Sequence, residues 1–281
     1  STGRAACGEM ILPATPMLRV VVETAGVLFV DKPPGLGFHT EAGQLGVLPL
    51  LRQMQQRGEL SQCDRLFAVH RLDRVTSGLL MVAKTADAAS ELSALLRERR
   101  VDKYYVALSA RRPKKKQGCV QGDMERSRRG QWKLTRGVAA PAITHFVSAA
   151  LPQQDERLLR GFLLAPKTGR THQLRVAMKS LGSPVLGDPL YADATAARTE
   201  DRAYLHAAAL RLPSSPALVS AEEAHRLGAR GGLLSVGCRP ERGAEFCSPA
   251  FVDLFRSWFP GDQPPPADDK WFVGTAVASA P

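Results

Sequence analysis

The sequence has no apolar run long enough to cross a membrane as a helix. Such a span takes about 20 predominantly apolar residues, whereas stretches such as Val20-Val21-Val22 and Val27-Leu28-Phe29-Val30 are strand-sized. A helical membrane protein, collagen and a coiled coil are set aside. So is a wholly disordered chain, because 44% of the 281 residues are hydrophobic, an ordinary share for a packed core. The five cysteines, Cys7, Cys63, Cys119, Cys238 and Cys247, are odd in number and never stand in C-x-x-C spacing. A disulfide framework and a zinc site therefore lack a signature, and a reducing compartment, cytoplasmic or mitochondrial, fits best. There is no secretory signal peptide, no P-loop, no H-E-x-x-H and no G-x-S-x-G. Gly35-x-Gly37 lacks the third glycine of a dinucleotide fingerprint, since position 40 is Thr. Hydride and phosphoryl transfer have no support, and neither a metal nor a cofactor is expected.

Acidic residues are the other shortage. Lys and Arg number 38 against 27 Asp and Glu, a net charge of +11. The excess is local, with fourteen basic and four acidic residues between Arg97 and Arg136. A clustered basic segment is the footprint of a polyanion partner. On composition alone three readings stay open: nucleic acid, a solvated face that keeps the chain soluble, and an anionic membrane or small anion.

Along the chain there is no internal repeat. Residues 1–17 read as an extension. Residues 18–32 predict two strands around a Gly-containing turn, and Pro33-Pro34-Gly35 forces a loop. Residues 44–57 predict a short helix interrupted by Pro49. Leu79 to Ala83 reads as a buried strand. Ala88, Leu92, Leu95 and Leu96 share one helical face, with Asp87 in the first turn. Strands are predicted at 103–109, 142–149, 158–165, 172–178 and 203–211. Residues 111–137 read as an exposed basic loop or hairpin insertion and 213–248 as a second insertion. Residues 249–259 predict a terminal helix, and 261–281, with Pro264-Pro265-Pro266, a mobile tail. Many strands and few helices predict an α+β domain with a mixed, largely antiparallel sheet, here spanning 18–260.

The chemistry is concentrated in Val69-His70-Arg71-Leu72-Asp73-Arg74-Val75-Thr76-Ser77-Gly78. Alone, an Asp at this place reads as a turn or capping residue. The whole string, however, resembles the H-R-L-D-x-x-T-S-G motif of the RluA-type pseudouridine synthases. Further matches follow in family order: Asp31-Lys32-Pro33-Pro34-Gly35 with His39, Lys103-Tyr104-Tyr105-Val106-Ala107, Thr168-Gly169-Arg170-Thr171-His172-Gln173-Leu174-Arg175, Gly187-Asp188-Pro189-Leu190-Tyr191, and Leu205-His206-Ala207. Together they span about residues 27–210.

The resemblance implies the pseudouridine synthase fold, a bent sheet with flanking helices and an RNA-binding cleft across it. It also implies an isomerisation of uridine that needs one carboxylate, no metal and no redox step. A glycosidase would want a second carboxylate. By the resemblance Asp73 is catalytic, by attack at C1′ or deprotonation at C2′. Arg175 pairs with it, and Tyr105 stacks on the uracil near C5. Neighbouring strand side chains alternate, so Tyr104 and Tyr105 point to opposite faces.

Leu205 is expected as an apolar wall or as plain core. Arg71 is expected either to fill the gap left by an everted base or to contact phosphate. His70, Lys103 and Arg170 are expected beside the RNA, and Lys114, Lys115, Lys116, Arg128 and Arg129 on its backbone. His70, His172 and His206 lack metal-ligand context and also read as hydrogen-bonded structural groups. No S4-type RNA-binding module is visible. The partner expected is RNA, ribosomal favoured over transfer, with the ribosome or a pre-ribosomal particle as a further candidate, bound by a monomer with no membrane contact. The alternative is a non-catalytic RNA-binding or ribosome-assembly factor on the same scaffold.

Overall fold

The computed structural model describes residues 17–265, apart from residue 42 and residues 153–156. Residues 1–16 of the expected extension and 266–281 of the expected tail lie outside the described residues. The chain opens with β1 (Arg19–Glu23), β2 (Val27–Lys32), α1 (Val47–Gln56), β3 (Phe67–Ala68), β4 (Ser77–Ala83) and α2 (Ala86–Arg97). It continues through β5 (Asp102–Ser109), β6 (Gln117–Arg126), β7 (Trp132–Thr135), β8 (Ala142–Ala150), β9 (Arg160–Pro166) and α3 (Gln173–Ser180). It closes with α4 (Ala194–Arg198), β10 (Leu205–Pro213), α5 (Ala221–Arg226), β11 (Leu233–Gly237) and α6 (Pro249–Trp258).

Local chemistry accounts for the helices. The Thr85 side chain accepts the Ala88 N–H at the start of α2, whose buried face is Ala88, Leu92 and Leu95. Ser248 caps α6, with Pro249 at its first position, where a missing N–H costs nothing. Pro49 does not break α1, because it stands third in the helix, within the turn whose N–H groups have no partner anyway.

The strands form one sheet in the order β1-β2-β4-β10-β5-β9-β8-β6-β7, with β3 on the edge of β4 and β11 on the edge of β10. Every pairing is antiparallel except β4–β10. That parallel junction is two residues long, His206 against Ser77 and Ala207 against Gly78. Beyond it the two strands part, and β3 and β11 take up the exposed edges. The sheet is thus two halves hinged at one short seam.

Gly78 is needed at the seam. Its φ is +102°, and a Cβ there would lie 2.3 Å from the Ala207 carbonyl oxygen. Polar side chains also fasten the seam. The Arg202 guanidinium donates to Ser77 Oγ at 2.6 Å, Ser77 Oγ lies 2.8 Å from His206 Nδ1, and His206 Nε2 lies 2.8 Å from the Cys238 carbonyl.

Two cores flank the sheet. Along β5, Tyr105 and Ala107 join the core formed with α1 and α2, while Tyr104, Val106 and Leu108 join the core formed with α6. In β10 a register shift between Ala207 and Ala209 keeps Leu205, Ala207, Leu210 and Leu212 on the first side. A bulge changes the side-chain alternation in this way.

One expected strand is wrong. Residues 173–180 form α3. Leu174, Val176 and Met178 mimic strand alternation, but Gln173, Arg175 and Ala177 between them are buried too, so the pattern carries no period. The local trigger is polar. His172 adopts φ +57°, and the Gln173 side chain accepts from Thr168 Oγ1 at 2.8 Å and the Arg170 N–H at 2.9 Å.

The basic segment 111–137 is a hairpin whose first strand extends the main sheet. β6 pairs with β8 over Gln117–Gly122 and with β7 beyond that. Residues 213–248 hold α5 and β11.

Candidate active site

A cleft of about 650 Å³ opens on the α1/α2 side of the sheet, beside the seam. Asp73 lies in the loop from β3 to β4, where the Thr76 N–H closes a turn onto the Asp73 carbonyl at 3.0 Å. The loop is held from behind. The Gly35 N–H donates to the Arg74 carbonyl at 2.9 Å, and the buried Lys32 ammonium reaches the same carbonyl at 3.3 Å together with those of Pro33 and Leu36. Burial, reinforced by the Arg202 charge, lowers the Lys32 pKa to about 7, against the pull of Asp73 and Asp31.

Arg175 projects from α3 and is shared by two carboxylates. Nε and Nη2 donate to Asp188 at 2.7 and 2.8 Å, and Nη1 donates to Asp73 at 3.3 Å. Asp188 is fully buried, while the Asp73 side chain is 19% exposed. Asp188 also accepts the N–H groups of Leu190 and Tyr191. Burial alone would lower the Arg175 pKa, but the hydrogen bonds and charges of the two carboxylates raise it above the ordinary arginine value. Asp188 therefore locks the guanidinium, leaving one N–H directed at Asp73.

Tyr105 lies on the floor of the same cleft. Burial, and secondarily the Asp73 charge, raises its pKa, so the phenol stays protonated at neutral pH. Leu205 is 2% exposed and also lines the cleft; its two expected roles, wall and core, coincide. His172 borders the cleft and bonds through Nδ1 to Tyr191 Oη at 2.9 Å. Burial lowers its pKa, with Asp73 pulling the other way.

The rim is cationic. Arg71, Arg97, Arg99, Lys103, Lys167 and Arg170 line the cleft, and Asp73 is the sole acid among its lining residues. Of the expected site residues, Asp73, Tyr105, Arg175, His70, Arg71, Leu205, Lys103 and Arg170 come together here. Lys114, Lys115, Lys116, Arg128 and Arg129 are exposed and lie outside the lining. His70 has a structural bond as well, because its Nε2 accepts the Met81 N–H at 2.9 Å. Burial lowers its pKa to about 4, with a smaller push from Lys103.

Asp188, Tyr191 and Lys32 were in matched segments but had no assigned role. Only their contacts with Arg175 and the Asp73 loop give them one. Arg97, Arg99 and Lys167 had no sequence signal beyond charge.

Comparison with known proteins places the chain in a family. A family model described as RNA pseudouridylate synthase matches residues 26–180, more than half of the chain. An uncharacterized RNA pseudouridine synthase of Haemophilus influenzae is 39% identical over 236 residues, 84% of this chain and 93% of its own length. The dual-specificity RNA pseudouridine synthase RluA of Salmonella typhi is 32% identical, covering 71% of this chain and 89% of its own. Ribosomal large subunit pseudouridine synthase D of Nitrosomonas europaea is 35% identical over 62% of this chain, which spans about half (49%) of that relative. In fold, human RNA pseudouridylate synthase domain containing 1 superposes with a TM-score of 0.60 at 24% identity, over 91% of this chain and all of the other. A carboxylate held by arginine in a cation-lined cleft is thus accompanied by the sequence of one family along most of the chain, and the chain belongs to the RNA pseudouridylate synthases, isomerases that act on RNA.

Proposed function

We propose that the chain isomerises specific uridines of ribosomal RNA, with Asp73 as the catalytic carboxylate. The observation that carries this reading is the lone acid of the cleft, held by Arg175 and ringed by cations. Cations concentrate a polyanion at the opening. A single carboxylate suits an isomerisation better than a hydrolysis, which normally recruits two. The ribosomal target draws support from relatives named ribosomal large subunit pseudouridine synthase D and from the basic hairpin beside the cleft. Residues 18–260 are read as one catalytic unit that works as a monomer.

The reaction breaks N1–C1′, turns the base and joins C5 to C1′. The C5 proton leaves and N1 takes one up, so nothing is oxidised or reduced. Asp73 supplies the negative charge beside the ribose. Arg175 keeps that carboxylate aimed, since Asp188 leaves its guanidinium little freedom. Tyr105 offers a protonated ring for the uracil to stack on, and Leu205 an apolar wall that excludes water. The base must leave its stack to enter. Arg71, exposed at the rim, is placed to occupy the gap. A scaffold kept only for binding has no use for a carboxylate and arginine aimed in this way, which weighs against the non-catalytic alternative.

The test is pseudouridine mapping across ribosomal and transfer RNA from cells with and without the protein, repeated in vitro with purified wild type and Asp73→Asn. Sites lost from ribosomal RNA and restored only by the wild type support the reading. Lost sites confined to transfer RNA would refute the ribosomal target, and an active Asp73→Asn the catalytic assignment.

A further inference from the structure

The β6–β7 hairpin leaves the main sheet after Gly122 and carries exposed Arg126, Arg128 and Arg129 towards its far end. It then turns back onto the body beside the cleft. Three hydrogen bonds hold it there. Gln131 Nε2 donates to the Leu190 carbonyl at 2.7 Å, Lys179 Nζ donates to Gln131 Oε1 at 3.3 Å, and the Trp132 backbone N–H donates to Tyr191 Oη at 2.9 Å.

Tyr191 is where the hairpin meets the chemistry. Since Oη accepts from Trp132, its own hydrogen is free for His172 Nδ1, 2.9 Å away in the cleft wall. The ring packs under the Arg175 guanidinium, 4.9 Å from ring centre to guanidinium carbon, and the Lys179 ammonium lies 5.5 Å from the same centre. Its backbone N–H is gripped by Asp188, the carboxylate that locks Arg175. One side chain therefore touches the hairpin, a histidine of the cleft and the catalytic arginine.

The three bonds of Arg175 are unequal. Those to Asp188 are 2.7 and 2.8 Å, and the one to Asp73 is 3.3 Å. Only the last has room to tighten, and catalytic hydrogen bonds are commonly loose before substrate binds. A small tilt of the ring under the guanidinium changes that bond first.

We propose that Tyr191 is a positioning residue that couples docking of the basic hairpin on RNA to the aim of Arg175 at Asp73. This rests on the assignment of Asp73 and Arg175 to catalysis. Phosphates held by Arg128 and Arg129 settle the hairpin, the hairpin sets Tyr191 through the Trp132 N–H, and the tyrosine ring sets the guanidinium. The carboxylate is fully aimed only when RNA occupies both the hairpin and the cleft.

The test separates rate from affinity. Tyr191→Phe keeps the ring and removes Oη; Gln131→Ala weakens the hairpin's grip without touching the cleft. Single-turnover tritium release is measured at saturating ribosomal RNA transcript labelled at uridine C5, with Kd by filter binding. Misplacement of this kind should slow Tyr191→Phe about tenfold with Kd within about twofold of wild type. Gln131→Ala should also slow the step, and the double variant should be no slower than Tyr191→Phe alone, because both act through one link. A single-turnover rate for Tyr191→Phe within about twofold of wild type, strictly multiplicative losses, or a loss confined to Kd would each overturn the coupling. If Tyr191→Phe fails to fold, Gln131→Ala decides alone: a rate loss at unchanged Kd supports the proposal and an unchanged rate defeats it. A wild type that releases no tritium from ribosomal or transfer RNA defeats the parent reading as well, whereas an active wild type beside an indifferent Tyr191→Phe defeats only the coupling.

Discussion

Asp73 and Asp188 share one arginine, and removing the charge should cost mainly stability at Asp188 and mainly turnover at Asp73. Asp188 is fully buried and accepts four hydrogen bonds, two from Arg175 and two from backbone N–H groups. In Asp188→Asn the amide presents an N–H where a donor already points, and Arg175 stays buried with its charge largely uncompensated. Breaking a buried pair this way costs about 3–5 kcal/mol. In a chain of this size each kcal/mol moves the melting temperature by about 2–4 °C. The expected fall is therefore roughly 6–20 °C. The guanidinium also loses its anchor, and misplacement should slow the reaction about 10²-fold.

Asp73 makes one 3.3 Å bond from a partly exposed side chain. Its loss is worth about 1 kcal/mol, a shift of a few degrees at most. Asp73→Asn nevertheless removes the charge proposed to act on the ribose, and turnover should fall by at least about 10⁴. RNA affinity should hold, because phosphate contacts dominate it. Thermal melts, tritium release and filter binding on the two variants check both halves. An Asp188→Asn protein melting within about 2 °C of wild type, or an Asp73→Asn protein as unstable as Asp188→Asn, would refute the division of labour.

Tyr105→Phe should bind RNA normally and turn over more slowly, since the ring remains and the hydroxyl is lost. Tyr104→Phe, on the opposite face of β5, should leave activity nearly unchanged; the reverse pattern in single-turnover assays would contradict the strand's facing. Replacing Lys114, Lys115, Lys116, Arg126, Arg128 and Arg129 with Gln should flatten the slope of log K against log[salt] by roughly 2, as expected if about three of them meet phosphates. An unchanged slope would mean that this charge does not touch RNA.

His70 contributes to the acid limb of stability, beside His206, whose pKa burial lowers to about 3. Its Nε2 accepts the Met81 N–H and its pKa falls to about 4, so below its ordinary value of 6.5 the unfolded chain binds the proton and the folded chain does not. The stabilisation is whole above pH 6.5 and is lost progressively as pH falls to about 4, a loss on the order of 3 kcal/mol. Urea titrations across that window should show a shallower decline for His70→Gln; parallel curves would remove the assignment.

Most of the fold was legible because its cues are local. β-branched and aromatic runs gave the strands, the shared face of Ala88, Leu92 and Leu95 with Asp87 in its first turn gave α2, Pro249 marked the start of α6, and Pro33-Pro34-Gly35 ends β2. The order of the motifs, from His70-Arg71-Leu72-Asp73 to Leu205-His206-Ala207, identified the family, and the resemblance pointed to Asp73, Tyr105 and Arg175, which the fold brings into one cleft. What remained needed distance information. α3 was misread because a segment buried on all sides has no period to read. The partnership of Asp188 with Arg175 arises where a loop before α4 folds under α3. Tyr191 meets Trp132 across 59 residues of sequence. Such meetings are set by packing and by the pairing of distant backbone, and neither leaves a mark in local composition. The seam between β4 and β10 belongs with them. The sequence shows a glycine at position 78, but only the Ala207 carbonyl, 2.3 Å from where a Cβ would stand, makes that glycine necessary.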